Sequence, residues 1–276
     1  MKDFTKCYGT WVLIAGAAEG LGAAFTEAVA RKKVNIIMVD IKRSSLEELA
    51  LKMEKIYGVR TIQLVMDLSL EDSVMKCMHA LGDLDCRLLI YIPAHSPVKL
   101  FLHNTEEELD KYINLNALTP MKLVLGFANR VKEEKHSGIV LMSSLAGLTG
   151  PQYTAPYAAT KAFTNTLGEA LYYEFKRYNT DVLVCCAGPV STPTYWGSQP
   201  AQKKTDSNVL DPSVVAEYAL KKLGKQAICI PGWRNRLVFF FLLHFLPRKT
   251  ASYLVNKAMA RLYPQFKPLR NTVNYG

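Results

Sequence analysis

A tyrosine and a lysine, Tyr157 and Lys161, stand four positions apart in the segment YAATK. On a helix, positions i and i+4 share one face about a turn apart, so this spacing would bring the ammonium near the phenolic oxygen. A positive charge there favours the phenolate, which can act as a general base. A half-buried ring beside a solvated ammonium has the same spacing, so the pair alone leaves both interpretations open.

Three glycines, Gly16, Gly20 and Gly22, follow an apolar run in the segment AGAAEGLG and open a stretch with helical spacing. Without Cβ atoms the backbone can turn tightly and approach a pyrophosphate, and the first N–H groups of a helix attract anions. A glycine triplet between a strand and a helix is the context that a dinucleotide-binding turn requires. The segment therefore predicts a phosphate-binding turn.

Two aspartates end the next two apolar runs. Asp40 lies about 20 residues beyond the glycines, where a carboxylate can accept hydrogen bonds from ribose hydroxyls, although a turn or capping role is the alternative. Asp67, in MDLS, is a candidate for contact with adenine. Asp67 or Ser69 could equally cap the following helix.

Short apolar runs alternate with segments of helical periodicity along the chain. The runs are WVLIAG, VNIIMVD, TIQLVMD, LLIYI, GIVLMSS, VLVCCAG and AICIPG. Runs this short and apolar are typical of strands covered on both faces, and the alternation predicts a doubly wound α/β domain with a parallel sheet and helices on both sides. Ligands bind beyond the carboxyl ends of such strands, which is where the candidate residues lie.

The composition predicts one globular domain, because no linker, repeat or low-complexity tract divides the 276 residues, of which 49% are hydrophobic. Six scattered cysteines and five histidines lack ligand spacing, so neither a metal site nor a disulfide framework is predicted. No signal-peptide pattern begins the chain, and we expect a reducing, cytoplasmic location. The net charge of +10 is spread along the chain, which does not indicate nucleic-acid binding.

These motifs together resemble the short-chain dehydrogenase/reductase family, from the first apolar run to the last. AGAAEGLG resembles that family's TGxxxGxG, and Tyr157 with Lys161 fits its YxxxK. Ser144 lies 13 residues before Tyr157, as the family's substrate-binding serine does. Asn116 in NLNAL matches its asparagine, and Gly188 to Thr192 resembles its PGxVxT loop.

The resemblance implies a Rossmann-type, seven-stranded parallel sheet and hydride transfer between a nicotinamide and a carbonyl or secondary alcohol. Tyr157 would be the general acid/base and Lys161 would favour its phenolate and bind the ribose. Ser144, with Ser143 as a possible substitute, would hold the substrate oxygen, and Asn116 would position a water. The expected cofactor-binding residues are Gly16, Gly20, Leu21, Gly22, Asp40, Asp67, Tyr157, Lys161, Gly188, Val190 and Thr192.

Three departures from the family's pattern qualify the expected site: Ala15 replaces a threonine, Ala187 replaces a proline, and YIPA (Tyr91 to Ala94) replaces NNAG. YIPA and Ala15 motivate an alternative, a catalytically silent dinucleotide-binding regulator or scaffold. In YIPA, the asparagine that ties neighbouring strands and a flexible glycine are lost.

The expected cofactor is NAD, with NADP as the alternative. Asp40 would repel a 2′-phosphate by like charge. Lys42 and Arg43 follow, one or two residues beyond Ile41, which takes the place where NADP-preferring relatives often carry Arg.

The end of the chain is unusually apolar. The run from Leu237 to Leu246 is too short to span a bilayer, which needs about 20 residues. It could cover a lipophilic pocket, pair with a second subunit or lie in a membrane interface. We expect a variable substrate-lid or interface segment at about 193–210 and an apolar C-terminal extension at about 233–276. This part of the chain loosely resembles family members that act on steroids, ketoacyl chains or other lipophilic carbonyls. Family habit implies a homodimer or homotetramer, with contacts near Asn116 and from Tyr157 to Tyr173.

Overall fold

The computed structural model describes residues 4–133, 136–199 and 209–266. Within these ranges seven strands form one sheet in the order β3-β2-β1-β4-β5-β6-β7. The strands are β1 Trp11–Ala15, β2 Asn35–Asp40, β3 Thr61–Val65, β4 Cys86–Tyr91, β5 Ser137–Ser144, β6 Thr180–Ala187 and β7 Ile228–Cys229. Every neighbouring pair is parallel. The predicted Rossmann-type sheet is confirmed, and its direction of winding reverses between β1 and β4.

Helices cover both faces of the sheet. They are α1 Phe4–Tyr8, α2 Gly20–Ala30, α3 Arg43–Tyr57, α4 Ser73–Leu81, α5 Glu106–Ile113, α6 Thr119–Val131, α7 Ala146–Thr149, α8 Ala155–Glu174, α9 Pro193–Ser198, α10 Pro212–Lys222, α11 Trp233–His244 and α12 Arg248–Leu262. One core cluster packs α2, α3 and α10 on the sheet, with Phe25 and Leu46 fully buried. The other packs α4 and α6 on the opposite face around Phe127. All of β1 is buried, which explains why its sequence is continuously apolar rather than alternating.

A π-helical turn, Asn114–Leu118, joins α5 to α6. A capping box between Thr105 and Glu108 fixes the start of α5. The widened turn interrupts the regular ladder at Asn116, and π-bulges of this kind are frequent at functional sites.

The two variable segments are partly described. Segment 193–210 begins with α9, and its residues 200–208 lie outside the described ranges. The extension at 233–276 folds into α11, α12 and a 3₁₀ turn at Pro264–Phe266, and residues 267–276 lie outside the description. Within the described part of the chain, no helix is both long and apolar enough to cross a bilayer.

Candidate active site

The glycine segment forms a tight turn between β1 and α2. Gly16 and Gly20 have φ of 75° and 53°, a backbone region that favours glycine. A Cβ on Gly22 would lie 1.7 Å from the carbonyl oxygen of Gly16, and one on Gly20 would lie 2.9 Å from Thr192 Cγ2. No side chain caps the start of α2. The turn thus keeps backbone N–H groups open to the adjoining cleft, and this cradle fits a pyrophosphate.

Asp40 stands at the end of β2 and lines the same cleft. Its carboxylate accepts hydrogen bonds from the N–H of Ala18 at 2.9 Å and of Lys42 at 3.1 Å. Asp40 therefore holds the glycine turn against β2. A carboxylate has about four acceptor positions, so this bonding leaves it capacity to accept from ribose hydroxyls.

A second carboxylate lies at this corner. Glu19 pairs with the Lys42 ammonium at 2.6 Å and accepts a hydrogen bond from Ser45 at 2.9 Å. The hydrogen bond from Lys42 lowers the pKa of Glu19. Arg43 pairs instead with Glu47 on α3. Glu19 was not predicted from the sequence, because it stands at a variable position of the glycine motif and its partner is 23 residues away.

Asp67 bonds within its own turn after β3. Neither Asp67 nor Ser69 caps the following helix, because α4 begins at Ser73 with Asp72 at the N-cap position. Asp67 accepts hydrogen bonds from the backbone N–H of Ser69 at 2.8 Å and from its hydroxyl at 2.7 Å. Burial raises the pKa of Asp67, but these two bonds and the charge of Lys111 outweigh it, and the net shift is downward. The carboxylate also lines the cleft, so contact with adenine stays a prediction.

Tyr157 and Ser144 meet where α8 packs beside the end of β5. Burial raises the pKa of Tyr157, and a hydrogen bond with Ser144 acts in the opposite direction. The Ser144 oxygen also accepts the N–H of Ala146 at 3.1 Å, so the serine's own hydrogen remains as the donor.

Lys161 is 4% exposed and lies beneath Tyr157. Its ammonium is 5.7 Å from the centre of the Tyr157 ring and donates to the carbonyl oxygen of Met142 at 2.7 Å. Burial lowers the pKa of Lys161 to about 8. The ammonium bonds to the backbone of β5, because a buried donor requires an acceptor. Its effect on the Tyr157 phenolate stays a prediction. Ser143, the possible substitute for Ser144, is buried and donates to the Lys161 carbonyl at 3.0 Å.

Asn116 joins the loop after β4 to α8. Its amide oxygen accepts the N–H of His95 at 2.7 Å, and its NH₂ donates to the His95 carbonyl at 2.9 Å and to Thr160 Oγ1 at 3.0 Å. Asn116 therefore has a structural role, because it pairs the backbone groups of His95 and ties them to α8. The positioning of a water stays a prediction.

Tyr91, the first residue of YIPA, is buried and donates to the carbonyl of Leu115 at 2.6 Å. This bond ties β4 to the π-helical turn next to Asn116. Pro93 packs against the glycine turn, where a Cβ on Gly16 would lie 2.8 Å from it. In place of the asparagine of NNAG, the hydrogen bond from Tyr91 connects β4 to the π-helical turn. The sequence did not indicate this bond.

The loop after β6 closes the cleft from the other side. Val190 is buried and bridges to Leu210, and Thr192 accepts the N–H of Tyr195 at 3.1 Å as the cap of α9. A Cβ on Gly188 would lie 2.7 Å from the side-chain nitrogen of Asn235 on α11. This loop is therefore packed directly against the C-terminal extension.

The predicted residues surround one cleft with a volume of about 670 Å³. Those that line it are Gly16, Gly20, Leu21, Asp40, Asp67, Ser144, Tyr157, Lys161, Gly188, Val190 and Thr192. Gly22 and Asn116 do not line the cleft, but they contact the backbone that forms its wall. Residues that sequence reasoning missed complete its wall from the C-terminal extension, namely Phe239, Val255, Met259 and Tyr263.

Comparison with known proteins agrees with this geometry. The family model for short chain dehydrogenases matches residues 10–203. A 7β-hydroxysteroid dehydrogenase of Clostridium sardiniense is 29% identical over 234 residues, covering 85% of this chain and 90% of that protein. A very-long-chain 3-oxoacyl-CoA reductase of Meyerozyma guilliermondii is 27% identical over 254 residues, covering 86% and 73%.

Among solved structures, one from a study of 7β-hydroxysteroid dehydrogenase stereoselectivity superposes with a TM-score of 0.84 at 26% identity, covering 91% of this chain and 98% of that one. The family match spans more than half of the chain and includes the glycine turn and the Ser144, Tyr157 and Lys161 cluster. The chain belongs to the short-chain dehydrogenase family of oxidoreductases, which bind nicotinamide cofactors and act on CH–OH groups.

Proposed function

We propose that this protein transfers hydride between NAD and a carbonyl or secondary alcohol of a lipophilic substrate, with Tyr157 as the general acid/base. The observation that carries the proposal is the convergence of Tyr157, Ser144 and a buried Lys161 on the cleft that the glycine turn enters. Neighbouring groups with perturbed pKa values in a cleft are typical of catalytic sites.

A bound nicotinamide would supply the hydride chemistry, and the protein would manage the proton and the substrate oxygen. Tyr157 would donate its proton to the substrate oxygen in reduction and accept one in oxidation. Ser144 would donate a hydrogen bond to the same oxygen as its charge develops. Lys161 uses one of its three N–H groups on Met142, so two remain to bind a ribose.

The decisive experiment compares turnover of wild type, Tyr157→Phe and Ser144→Ala on a panel of lipophilic ketones and secondary alcohols, followed by absorbance of the reduced nicotinamide. Loss of the general acid/base should lower kcat by about 100-fold or more. Tyr173→Phe, an exposed tyrosine on the same helix, is the matched control. Turnover that survives Tyr157→Phe would refute the mechanism. Cofactor binding without turnover on any substrate would favour the silent regulator.

The preference for NAD is supported by charge at the end of β2. Asp40 and Glu19 are two carboxylates beside one ammonium, Lys42, so a 2′-phosphate would meet net negative charge. Asp40→Asn keeps an oxygen that can accept from Ala18 but removes the charge. It should shift the kcat/KM ratio about tenfold or more towards NADP. A wild-type preference for NADP that the substitution leaves unaltered would refute the selecting role of Asp40.

The lipophilic character of the substrate is supported by the apolar wall that α11 and α12 add to the cleft. It is also supported by the relatives, whose names specify hydroxysteroids and very-long-chain 3-oxoacyl-CoA. Within the panel, kcat/KM should rise with the apolar area of the substrate. Equal efficiency for short polar ketones and bulky apolar ones would contradict this part of the proposal.

We further propose a homodimer or homotetramer built on α5, α6 and α8. Apolar side chains exposed there support the assignment, and they are Ile113, Met121, Leu125 and Phe163. Light scattering at micromolar concentration should give at least twice the monomer mass, and a monomer would refute the assignment. The cytoplasmic location expected from the sequence stays a prediction, to be checked by cell fractionation.

A further inference from the structure

Helix α11 is continuously apolar from Leu237 to Leu243, so this part is apolar on every side, and most of it is uncovered. Seven large apolar residues of α11 and its end are 43–64% exposed: Trp233, Leu237, Val238, Phe240, Phe241, Leu243 and Phe245. An ordinary surface helix buries one apolar stripe and exposes polar residues. Here the adjacent Phe240 and Phe241 are each 50% exposed although they point in different directions. The four aromatic side chains alone expose on the order of 400 Å², which is already a large patch for a monomer surface.

These exposed side chains are not needed to close the cleft, because other residues of the two helices line it. Phe239 packs on the cluster around Leu145, and it lines the cleft with Val255 and Met259 from α12. The exposed residues of α11 do not line the cleft. The two helices therefore have an inner surface that covers the substrate region and an outer surface whose apolar side chains remain exposed in the described part of the chain.

The segment that forms the two helices carries charge of one sign, and its lysines and arginines are exposed. Between Trp233 and Phe266 the sequence has six basic residues and no Asp or Glu. The basic residues are Arg234, Arg236, Arg248, Lys249, Lys257 and Arg261. They stand before, after and beside the apolar run. A second copy of this chain docked symmetrically here would bring these charges against one another, which argues against a subunit interface.

We propose that the outer surface of α11 and α12, defined by the exposed apolar and basic residues above, docks on an anionic phospholipid bilayer. A helix of 12 residues is about 18 Å long, so it would lie in the interface rather than cross it. The apolar side chains would enter the acyl boundary and the basic side chains would contact headgroup phosphates. Because the inner surface lines the cleft, docking would hold the cleft next to the bilayer.

Flotation with lipid vesicles tests the proposal on the full chain. Wild type should bind vesicles that contain phosphatidylserine and phosphatidylcholine at least about tenfold more tightly than it binds vesicles of phosphatidylcholine alone. High salt should reduce this difference in affinity. The triple variant Phe240→Ser, Phe241→Ser, Phe245→Ser should lose binding about tenfold or more. Its matched control carries serine at exposed apolar positions of α3 and α4: Leu51→Ser, Ile56→Ser and Met75→Ser. This control should float like wild type.

A second set of variants separates charge from apolar contact. Arg248→Gln, Lys249→Gln and Lys257→Gln together should weaken binding to anionic vesicles and leave binding to neutral ones unchanged. The control, which should match wild type, removes exposed lysines elsewhere: Lys52→Gln, Lys55→Gln and Lys132→Gln. Thermal unfolding followed by circular dichroism checks that each variant remains folded.

Three outcomes would overturn the proposal. The first is wild type that stays in the unbound fraction with anionic vesicles at low salt, a result that needs no variant. The second is a phenylalanine variant that floats as well as wild type. The third is wild type that does not float together with a phenylalanine variant that is a monomer in light scattering where wild type is an oligomer, which would make this surface a subunit interface.

Discussion

Replacing Lys161 with methionine should stabilise the protein at neutral pH. Burial lowers the pKa of this lysine from 10.5 to about 8, and at about 1.4 kcal/mol per pKa unit the buried charge costs about 3 kcal/mol. Methionine has a similar length and no charge. It cannot donate to the Met142 carbonyl, which costs about 1–2 kcal/mol. We therefore expect Lys161→Met to raise the free energy of unfolding by about 1–2 kcal/mol at pH 7.

The sign of the pH dependence follows from the two states of the chain. Above pH 10.5 the lysine is neutral both folded and unfolded, so its burial carries no charge penalty. As the pH falls from 10.5 to about 8, the unfolded chain takes up the proton and the folded one does not, and the stability of wild type falls. Below about 8 both states are protonated and the penalty is constant. The advantage of Lys161→Met should thus shrink by about 2 kcal/mol between pH 8 and 10.

Urea denaturation of both proteins at pH 7, 8, 9 and 10 measures this difference. It is done without cofactor, because a ligand that binds only the folded state would add its own stabilisation. Lys52→Met, at an exposed position of α3, is the matched control and should change stability by less than about 0.5 kcal/mol at every pH. A difference between wild type and Lys161→Met that is the same at pH 7 and pH 10 would refute the reasoning.

Two further substitutions test the supports of the cleft. Gly22→Ala places a Cβ 1.7 Å from the Gly16 carbonyl oxygen. It should cost about 3 kcal/mol in urea denaturation and abolish NAD binding in a fluorescence titration. Gly197→Ala meets nothing within 4 Å and should be neutral. Tyr91→Phe leaves a buried carbonyl without its donor and should cost about 1–3 kcal/mol. Tyr112→Phe, which breaks a longer bond of 3.4 Å, should cost less. An equal cost for the two tyrosine variants would contradict the tie assigned to Tyr91.

Much of the fold was predictable because strands buried on both faces must be apolar throughout. All five residues of β1 are buried, and its sequence WVLIA is apolar at every position, which indicates burial on both faces. Glycines that turn between a strand and a helix are likewise visible, because a Cβ at Gly22 would collide with the backbone. Parallel strands bring their carboxyl ends to one edge, so Asp40 and Ser144 were predictable at the same edge of the sheet. The grouping of Ser144 with Tyr157 and Lys161 came from the resemblance to the short-chain dehydrogenase/reductase motifs.

Contacts between distant segments were not predictable in this way. The Glu19 and Lys42 ion pair and the bond from Tyr91 to Leu115 each join residues more than 20 positions apart. Neither residue of such a pair has a local pattern that indicates its partner. The Lys161 ammonium on α8 likewise bonds to the carbonyl of Met142 on β5, and no local pattern indicates that acceptor.

The C-terminal extension shows most clearly which properties follow from the sequence and which follow only from the tertiary structure. The sequence by itself determined that its run from Leu237 to Leu246 is apolar, bordered by basic residues and too short to span a bilayer. Only the tertiary structure decided that Phe239 faces the cleft while Phe240 and Phe241 face outward. The reason is physical: a helical run that is apolar on every side, like Leu237 to Leu243, has no stripe that marks its buried face, so the surface against which it packs determines which residues are buried.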